Sequence, residues 1–163
     1  MSEEPLPPLL TLFHGPPGSG KTTLARRLEE EGHGLRIATD EWQSEIGVDP
    51  RDGVRHERLQ SLLYQLALDL LDRGVDVILE DGLWMRAERE RVFADARRRG
   101  ARIHWHIFQV PADELRRRLA SREADPGLGE VPVTSEQLTA ILALLEAPRA
   151  QEYAAVDEVT VHR

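Results

Sequence analysis

The chain has 163 residues, of which 40% are hydrophobic and 31% are charged, and its formal net charge at pH 7 is −8. This length and composition are typical of one globular domain, and no apolar run approaches the ~20 residues that span a bilayer. The absence of cysteine excludes disulfides, thiolate nucleophiles and cysteine-ligated metal centres, and the acidic balance argues against a diffuse positive surface for nucleic acid.

The first ten residues combine acidic residues with prolines, where a secretory signal has a basic start and an apolar stretch. We therefore expect a cytoplasmic protein that forms a single domain over 1–163.

Short apolar runs alternate with helical periodicities along the chain. In chain order they predict a strand at 9–13, a helix at 21–31, a strand at 35–39, a long helix at 53–73, a strand at 75–79, a helix at 85–99, a strand at 103–110, helices at 111–123 and 136–145, and a last strand at 159–161. The apolar positions of the long helix recur at helical spacing: Leu59, Leu62, Leu63, Leu66, Leu70. Thr134 and Gln137 have the spacing of a capping box. This alternation predicts an α/β protein with a parallel sheet covered on both faces, which binds ligands at the carboxyl ends of its strands.

A glycine-rich stretch follows the first predicted strand and leads into the first predicted helix. Residues 15–22 read GPPGSGKT, a complete match to G-x-x-x-x-G-K-[ST] in the strand–loop–helix context that this motif requires. Glycines let backbone N–H groups approach phosphate oxygens, and the helix N-terminus adds partial positive charge. We predict that the loop binds the phosphates of a nucleotide, with the Thr22 hydroxyl at Mg²⁺. The predicted nucleotide-binding residues are Gly15, Pro16, Pro17, Gly18, Ser19, Gly20, Lys21, Thr22 and Thr23.

The only lysine of the chain, Lys21, lies in this motif, and the other basic residues are arginines. A bias toward arginine explains the depletion of lysine, but not the position of the one that remains. Since the planar guanidinium of arginine does not reproduce a compact ammonium on a flexible stem, we predict that Lys21 acts at the β- and γ-phosphates. The alternative is a chance glycine loop before a helix.

Three carboxylates follow predicted strands: Asp40 after the second strand, and Glu80 and Asp81 after the third. The carboxyl ends of parallel strands lie at one edge of the sheet, where the phosphates are expected. We predict that Asp40 is the general base for an attacking hydroxyl, with a helix N-cap as the alternative role. Glu80 and Asp81 precede a glycine, so a turn is the alternative there, and their spacing does not say which of them steadies Mg²⁺.

Arg118 and Arg122 are four residues apart on the predicted helix at 111–123, so they share a face. The loop that follows contains glycine and proline, and we interpret about 118–133 as a lid over the nucleotide. Arginines there would neutralise charge on the transferring phosphoryl group. The alternative is a solvated face of ion pairs, which we prefer for Arg116 and Arg117.

The segments after the second and third strands carry aromatic and basic residues that suit a pocket for a planar or sugar-like acceptor, with the helices at about 41–73 on the acceptor side. These residues are Trp42, Arg55, His56, Trp84, Arg86 and Arg89. Tryptophan is more often a core residue than a ligand platform. His104 and His106 alternate on a predicted strand, and without a third ligand we interpret them as structural.

Together these motifs resemble the P-loop small-molecule kinases, including predicted kinases of the AAA_33 type and, more distantly, zeta toxins and chloramphenicol phosphotransferases. The resemblance covers most of the chain and rests on HGPPGSGKTTLARRL, ATDEW, EDGLWMRAERE and VPADELRRRLASRE. It implies a P-loop NTPase fold similar to nucleoside monophosphate kinases, with a five-stranded parallel sheet and a small lid. It also implies ATP with Mg²⁺, Asp40 as base, Asp81 as the magnesium-side carboxylate and arginines in the lid. Trp84 and Arg86 stand where many relatives differ, so acceptor residues are not carried over.

The leading hypothesis is an ATP-dependent kinase that phosphorylates a hydroxyl of a small molecule, such as an antibiotic in a resistance role, a nucleoside or a sugar derivative. A polynucleotide or nucleotide-sugar kinase is one alternative, and the net charge argues against its polynucleotide form. A nucleotide-dependent switch is another, and it would not require Asp40 as a base. We expect no membrane or nucleic-acid partner. The sequence specifies neither the oligomeric state nor ATP over GTP.

Overall fold

The computed structural model of the protein describes residues 4–124 and 132–163. Five parallel strands form one sheet in the order β2-β3-β1-β4-β5. The strands are β1 (Leu9–His14), β2 (Leu35–Ile37), β3 (Val77–Leu79), β4 (Arg102–Phe108) and β5 (Glu158–His162). The predicted α/β class and five-stranded parallel sheet are confirmed.

Seven helices lie within the described residues. They are α1 (Lys21–Glu30), α2 (Thr39–Glu45), α3 (Gly53–Asp72), α4 (Arg86–Arg98), α5 (Ala112–Ala124), α6 (Ser135–Leu144) and α7 (Ala150–Tyr153). Within 4–124 and 132–163, none of them combines the length and apolar character needed to cross a bilayer.

The central strand β1 shows why helices cover both faces of the sheet. Successive side chains of a strand point to opposite faces. Leu10 and Leu12 pack into the larger core cluster with residues of α3 and α4, whereas Phe13 packs with Leu24 and Ala25 of α1. The phosphate loop, which connects β1 to α1, is therefore held between two packed elements at the carboxyl edge of the sheet.

A smaller cluster joins α5 to α6 through Leu115, Leu119 and Leu138. Helix α5 also lies beside the phosphate loop: a Cβ added to Gly18 would be 3.2 Å from the side chain of Leu119. The predicted capping box of α6 is confirmed, since Thr134 and Gln137 exchange side-chain-to-backbone hydrogen bonds of 3.1 and 2.8 Å. Residues 125–131 of the predicted lid lie outside the described residues, so the lid stays a prediction. The single-domain assignment over 1–163 also stays a prediction.

Several predicted boundaries and faces are wrong in detail. β2 ends at Ile37 instead of residue 39, because Thr39 already begins α2. On α3, Leu62 and Leu66 are exposed, and the buried positions are Leu63, Ala67, Leu68 and Leu71. The leucines of this helix cover a wider part of its circumference than the stripe that packs against the sheet, so those outside the stripe stay exposed. The single turn of α7 was not predicted.

Three histidines form a row on one face of β4 and β5. The rings of His104 and His106 have centroids 4.1 Å apart, and His106 Nδ1 lies 3.0 Å from Nε2 of His162. Phe13 stacks on His106 with ring centroids 5.6 Å apart. The sequence-based interpretation of His104 and His106 as structural residues agrees with these packing contacts.

Acid is expected to destabilise the protein through His106. Burial, followed by the charges of His104 and His162, lowers the pKa of His106 to about 3. Below its ordinary value of 6.5 the unfolded chain binds a proton that the folded chain does not, so stability is lost as pH falls from 6.5 toward 3, by at most about 1.4 kcal/mol per pH unit. Urea unfolding between pH 7.5 and 5 measures this slope. The His106→Phe variant should show a shallower slope, and equal slopes would contradict the prediction.

Candidate active site

The phosphate loop has the backbone that close approach to an anion requires. Gly18 and Gly20 have φ angles of 82° and 106°, in the left-handed region that favours glycine. Gly20 is the N-cap of α1 and makes no side-chain capping bond, which leaves the first amides of the helix for another acceptor. Ser19 Oγ is buried and has no hydrogen-bond partner in the described part of the chain. Phosphate oxygens would satisfy this set of donors.

Lys21 is folded onto the start of the loop. Its Nζ donates hydrogen bonds of 2.8 Å to the carbonyl oxygens of Gly15 and Pro16. Burial lowers the pKa of Lys21 to about 8, while the neighbouring carboxylates Glu80 and Asp40 act in the opposite direction. Lys21 therefore stays largely protonated at neutral pH. Its ammonium group lies against the phosphate loop and interacts electrostatically with Glu80 and Asp40.

Glu80 lies beside the predicted magnesium ligand. Thr22 Oγ1 donates a short hydrogen bond to Glu80 Oε1, and Arg36 Nη1 donates to Glu80 Oε2 at 2.8 Å. A hydroxyl and a carboxylate are the hard oxygen donors that Mg²⁺ prefers, and nucleotide sites usually hold Mg²⁺ with one or two side chains plus phosphates. The pair therefore fits Mg²⁺. No cage of three or more acidic or histidine side chains occurs among residues 4–124 and 132–163.

Asp81, which the family resemblance favoured for magnesium, contacts a different element. Its Oδ1 accepts a 3.3 Å hydrogen bond from Thr39 Oγ1 at the start of α2. The backbone of Glu80 continues the β ladder by donating to Ile37 at 2.8 Å, so the two successive side chains diverge. The structure thus places Glu80, and not Asp81, against Thr22. Burial raises the pKa of Asp81 to about 6, and the charge of Asp40 adds to this shift.

Asp40 lies in the first turn of α2 and does not close β2. Its alternative role as an N-cap is wrong, because the N-cap of α2 is Ala38. The Asp40 side chain is 60% exposed and lies 3.6 Å from Nδ1 of His56. That nitrogen also lies 2.7 Å from the side-chain oxygen of Gln43, which can only accept, so Nδ1 carries the proton. Neighbouring protein atoms partly desolvate the carboxylate and raise the pKa of Asp40, while the charges of His56 and Lys21 oppose the shift. Asp40 is thus an accessible carboxylate near the phosphate loop.

Both predicted lid arginines belong to the phosphate side of the site. Arg118 Nη1 lies 3.3 and 3.4 Å from the carbonyl oxygens of Gly18 and Ser19, and its Nε donates to Glu114 at 2.9 Å. Arg122 lies close enough to Lys21 to lower its pKa. Arg116 and Arg117 pair instead with Asp113 and Glu114 of their own helix.

Trp84 contacts the phosphate loop, although the sequence suggested that it lines the acceptor pocket. Its indole N–H donates to the carbonyl oxygen of Gly15 at 3.0 Å, and the Gly15 N–H donates to Gly82 at 3.2 Å. Segment 82–84 therefore fixes the backbone of Gly15, the first residue of the phosphate loop, through both its N–H and its carbonyl group.

A buried ion pair supports this segment. Arg89 of α4 is fully buried and donates hydrogen bonds of 3.1 Å to the carbonyl oxygens of Leu83 and Trp84. It also forms a two-point ion pair of 2.6 and 3.2 Å with Glu152 of α7. Leu83 has a φ of 43°, the one positive value at a non-glycine position in the described chain, and the bonds to Arg89 hold this unusual backbone in place.

Gly82→Ala is expected to weaken nucleotide binding roughly tenfold and to cost about 1–3 kcal/mol of stability, as overpacking typically does. A Cβ at this position would overlap the Trp84 indole nitrogen and lie 3.0 Å from the Gly15 carbonyl oxygen, so the phosphate loop would have to shift. Isothermal titration with ATP and thermal melting measure the two effects. Gly53→Ala is the matched control, because no atom lies within 4 Å of its added Cβ. Equal ATP affinities of the two variants would contradict the prediction.

The remaining predicted acceptor residues are dispersed. Trp42 is largely exposed on α2, and Arg55 pairs with Asp52 at 3.3 Å. Arg86 pairs with Glu90 at 3.4 Å and lines a groove between α4 and the C-terminal segment, with Arg97 and Arg149. The structure therefore brings His56 to Asp40, but it does not bring Trp84 or Arg86 there.

The AAA_33 family model, described as an AAA domain, matches residues 10–148 of the chain. This range contains the phosphate loop, all three carboxylates and the arginines of α5. The chain belongs to the AAA_33 family.

Solved structures with P-loop kinase folds resemble this AAA_33 chain. Kti12 of Chaetomium thermophilum, solved with ADP-AlF3, is 18% identical, with a TM-score of 0.69 over 94% of this chain and 88% of that chain. A gluconokinase of Sinorhizobium meliloti 1021 is 16% identical, with a TM-score of 0.58 over 94% and 80%. A chain of the Pnkp1/Rnl/Hen1 RNA repair complex is 23% identical, with a TM-score of 0.68 over 85% of this chain but only 44% of that chain. At these identities the likeness shows the fold.

Sequence reasoning missed two contributors to the site of this AAA_33 protein. Arg36 is a charged residue inside a short parallel strand, and such strands are normally apolar throughout. This exception is the feature of the sequence that could have identified Arg36 as a site residue. The pairing of Arg89 with Glu152 joins residues 63 positions apart, and no local pattern indicates it.

Proposed function

We propose that the protein transfers the γ-phosphoryl group of ATP to a hydroxyl group of a small molecule. The observation that carries this proposal is the position of Asp40, an accessible carboxylate paired with His56 and within electrostatic reach of Lys21 of the phosphate loop. Membership of the AAA_33 family and the P-loop kinase fold support it. A nucleotide-dependent switch does not need such a base.

The proposed roles follow the two sides of the site. The amides of the loop and Lys21 bind the phosphates, and Arg118 and Arg122 lie where they would stabilise charge on the transferring group. Thr22 and Glu80 would hold Mg²⁺, which supplies charge neutralisation at the phosphates when bound. The acceptor oxygen attacks the γ-phosphorus, the bond to ADP breaks, and Asp40 accepts the hydroxyl proton.

The distribution of basic residues favours a small acceptor over a polynucleotide. All 21 lysine and arginine residues lie in the described part of the chain, because residues 1–3 and 125–131 contain none. The basic groups whose charge acts on the Asp40 carboxylate are His56, which is charged only when protonated, and Lys21. Arg51 and Arg55, near the start of α3, pair with Asp49 and Asp52. Around Asp40 these residues do not form the basic groove that tracks a nucleic-acid backbone, and the groove lined by Arg86, Arg97 and Arg149 lies elsewhere, between α4 and the C-terminal segment.

The test is to incubate the protein with γ-labelled ATP, Mg²⁺ and a small-molecule extract separated into anionic, neutral and cationic fractions, with a 5′-hydroxyl oligoribonucleotide in parallel. We expect ATP-dependent label in a small-molecule fraction and none on the oligonucleotide. Label on the oligonucleotide would favour the polynucleotide kinase alternative, and release of inorganic phosphate without labelled product would favour the switch. Lys21→Ala protein is the control for contaminating kinases.

A further inference from the structure

Arg36 of β2 makes contacts that the proposed reaction has not yet used. Its side chain is only 9% exposed, and its guanidinium meets carboxylates of three other segments. Nε donates to Glu29 of α1 at 3.0 Å, Nη2 donates to both oxygens of Glu41 of α2 at 2.9 and 2.8 Å, and Nη1 donates to Glu80 after β3 at 2.8 Å. One cation therefore connects four segments around the carboxyl edge of the sheet.

Two of the carboxylates that Arg36 binds neighbour residues of the proposed reaction. Glu41 follows Asp40 in sequence, whereas Glu29 lies near the far end of α1, which begins at Lys21. Glu80 uses one oxygen for Arg36 and the other for Thr22. Two directional contacts thus set the orientation of the Glu80 carboxylate, and only one of them comes from the phosphate loop.

The shape of the guanidinium matters for this arrangement. Three carboxylates approach one planar group from different directions, which requires the fixed fork of arginine and not a single point charge. Glu41 also accepts from Arg26 at 3.3 Å, so the helix that carries Asp40 has a second cationic contact. Among the described residues, Arg36 is the one cation within ion-pair distance of Glu80, and Lys21 acts on Glu80 from farther away.

We propose that Arg36 is a positioning residue that orients Glu80 toward Thr22 and thereby sets the affinity for the magnesium–nucleotide complex. This inference rests on the proposed function for the assignment of Thr22 and Glu80 to Mg²⁺. A purely structural role, in which Arg36 fastens the edge strand β2, would affect stability but not the response of nucleotide binding to magnesium.

The experiment measures the ATP affinity of Arg36→Gln protein by isothermal titration, once with Mg²⁺ and once with EDTA. We expect Mg²⁺ to tighten binding in the wild-type protein and this enhancement to fall by roughly 10–100-fold in the variant, as is typical when a partner of a metal ligand is lost. Affinity in EDTA should change less than about twofold, since the loop amides and Lys21 are untouched.

Glu29→Gln is the matched control. It removes the charge of a carboxylate that contacts the same guanidinium on the side away from Thr22, so the melting temperature of the variant should fall while its magnesium enhancement stays. If both variants lose melting temperature and both keep the enhancement, the positioning role is overturned. If Arg36→Gln does not fold, Arg36→Lys decides: it keeps the charge without the fork, and an unchanged enhancement overturns the inference.

A double variant tests whether Arg36 acts through Glu80. In a Glu80→Gln background, Arg36→Gln should cause no further loss of magnesium enhancement, because the group that it orients is already altered. Additive losses would overturn the inference. If wild-type protein binds ATP equally with Mg²⁺ and EDTA, the magnesium assignment fails and this inference with it. A failure to label any acceptor would overturn only the proposed reaction.

Discussion

Lys21→Ala is expected to lower ATP-dependent phosphoryl transfer by about 10³-fold or more while the fold survives, because it removes a preorganised charge at the β- and γ-phosphates. The folded chain loses two hydrogen bonds to the carbonyl oxygens of Gly15 and Pro16, each contributing about 1 kcal/mol to stability. Circular dichroism and transfer assays on the same preparation separate the two effects.

Arg117→Ala removes the same unit of positive charge at an exposed position of α5 and serves as the control. It should transfer phosphate at the wild-type rate. Near wild-type turnover of the Lys21→Ala variant would contradict the phosphate-loop assignment, and an unfolded variant would show that the lysine is mainly a structural part of the loop.

Asp40→Asn is expected to lower transfer by ~10²–10⁴-fold, the range for loss of a positioned general base. The amide keeps the shape of the side chain but does not accept the hydroxyl proton. Single-turnover transfer to the acceptor, with ATP affinity measured separately, tests this. Glu45→Gln, an exposed carboxylate of the same helix, should leave transfer unchanged. Because the transition state demands little early proton removal, a smaller loss would favour an orienting role for Asp40.

The pH dependence provides a second measurement of Asp40. A base must be ionised, so transfer should decline as pH falls through the pKa of Asp40, which partial desolvation raises above its ordinary value of 3.8. The acidic limb of kcat/KM should therefore lie above pH 3.8. Asp40→Asn should flatten that limb. An unchanged limb in the variant would assign it to another group.

The elements that the sequence predicted well are those with local causes. The glycines of residues 15–20 demand a tight loop between β1 and α1, and the Thr134–Gln137 spacing defines the start of α6. The order of strand and carboxylate also placed Asp40 near the phosphate loop. These features depend on nearest neighbours along the chain, so periodicity and turn chemistry are sufficient to find them.

The features that the sequence did not predict depend on contacts between distant segments. Which of Glu80 and Asp81 lies at the magnesium ligand Thr22 depends on the direction of each side chain after β3. Because the two residues are adjacent, a shift of one position along the chain would exchange their contacts. The sequence suggested that Trp84 belongs to an acceptor pocket, because it is aromatic and lies beside arginines. In the structure its indole N–H donates a hydrogen bond to the carbonyl oxygen of Gly15. The contacts of Arg36 join β2 to three other segments of the chain, and a local sequence pattern does not predict contacts between distant segments.

The ion pair between Arg89 and Glu152 has a consequence for the order in which the protein matures during synthesis. The phosphate loop leaves the ribosome early, whereas Glu152 follows about 130 residues later. Until Glu152 arrives, burying Arg89 would leave an uncompensated charge, at a cost of about 3–5 kcal/mol, so segment 82–84 is not fixed behind Gly15. We therefore expect a nascent chain that carries the nucleotide motif but lacks Glu152 to bind nucleotide more weakly than the folded protein. That affinity should rise only after residue 152 has been translated.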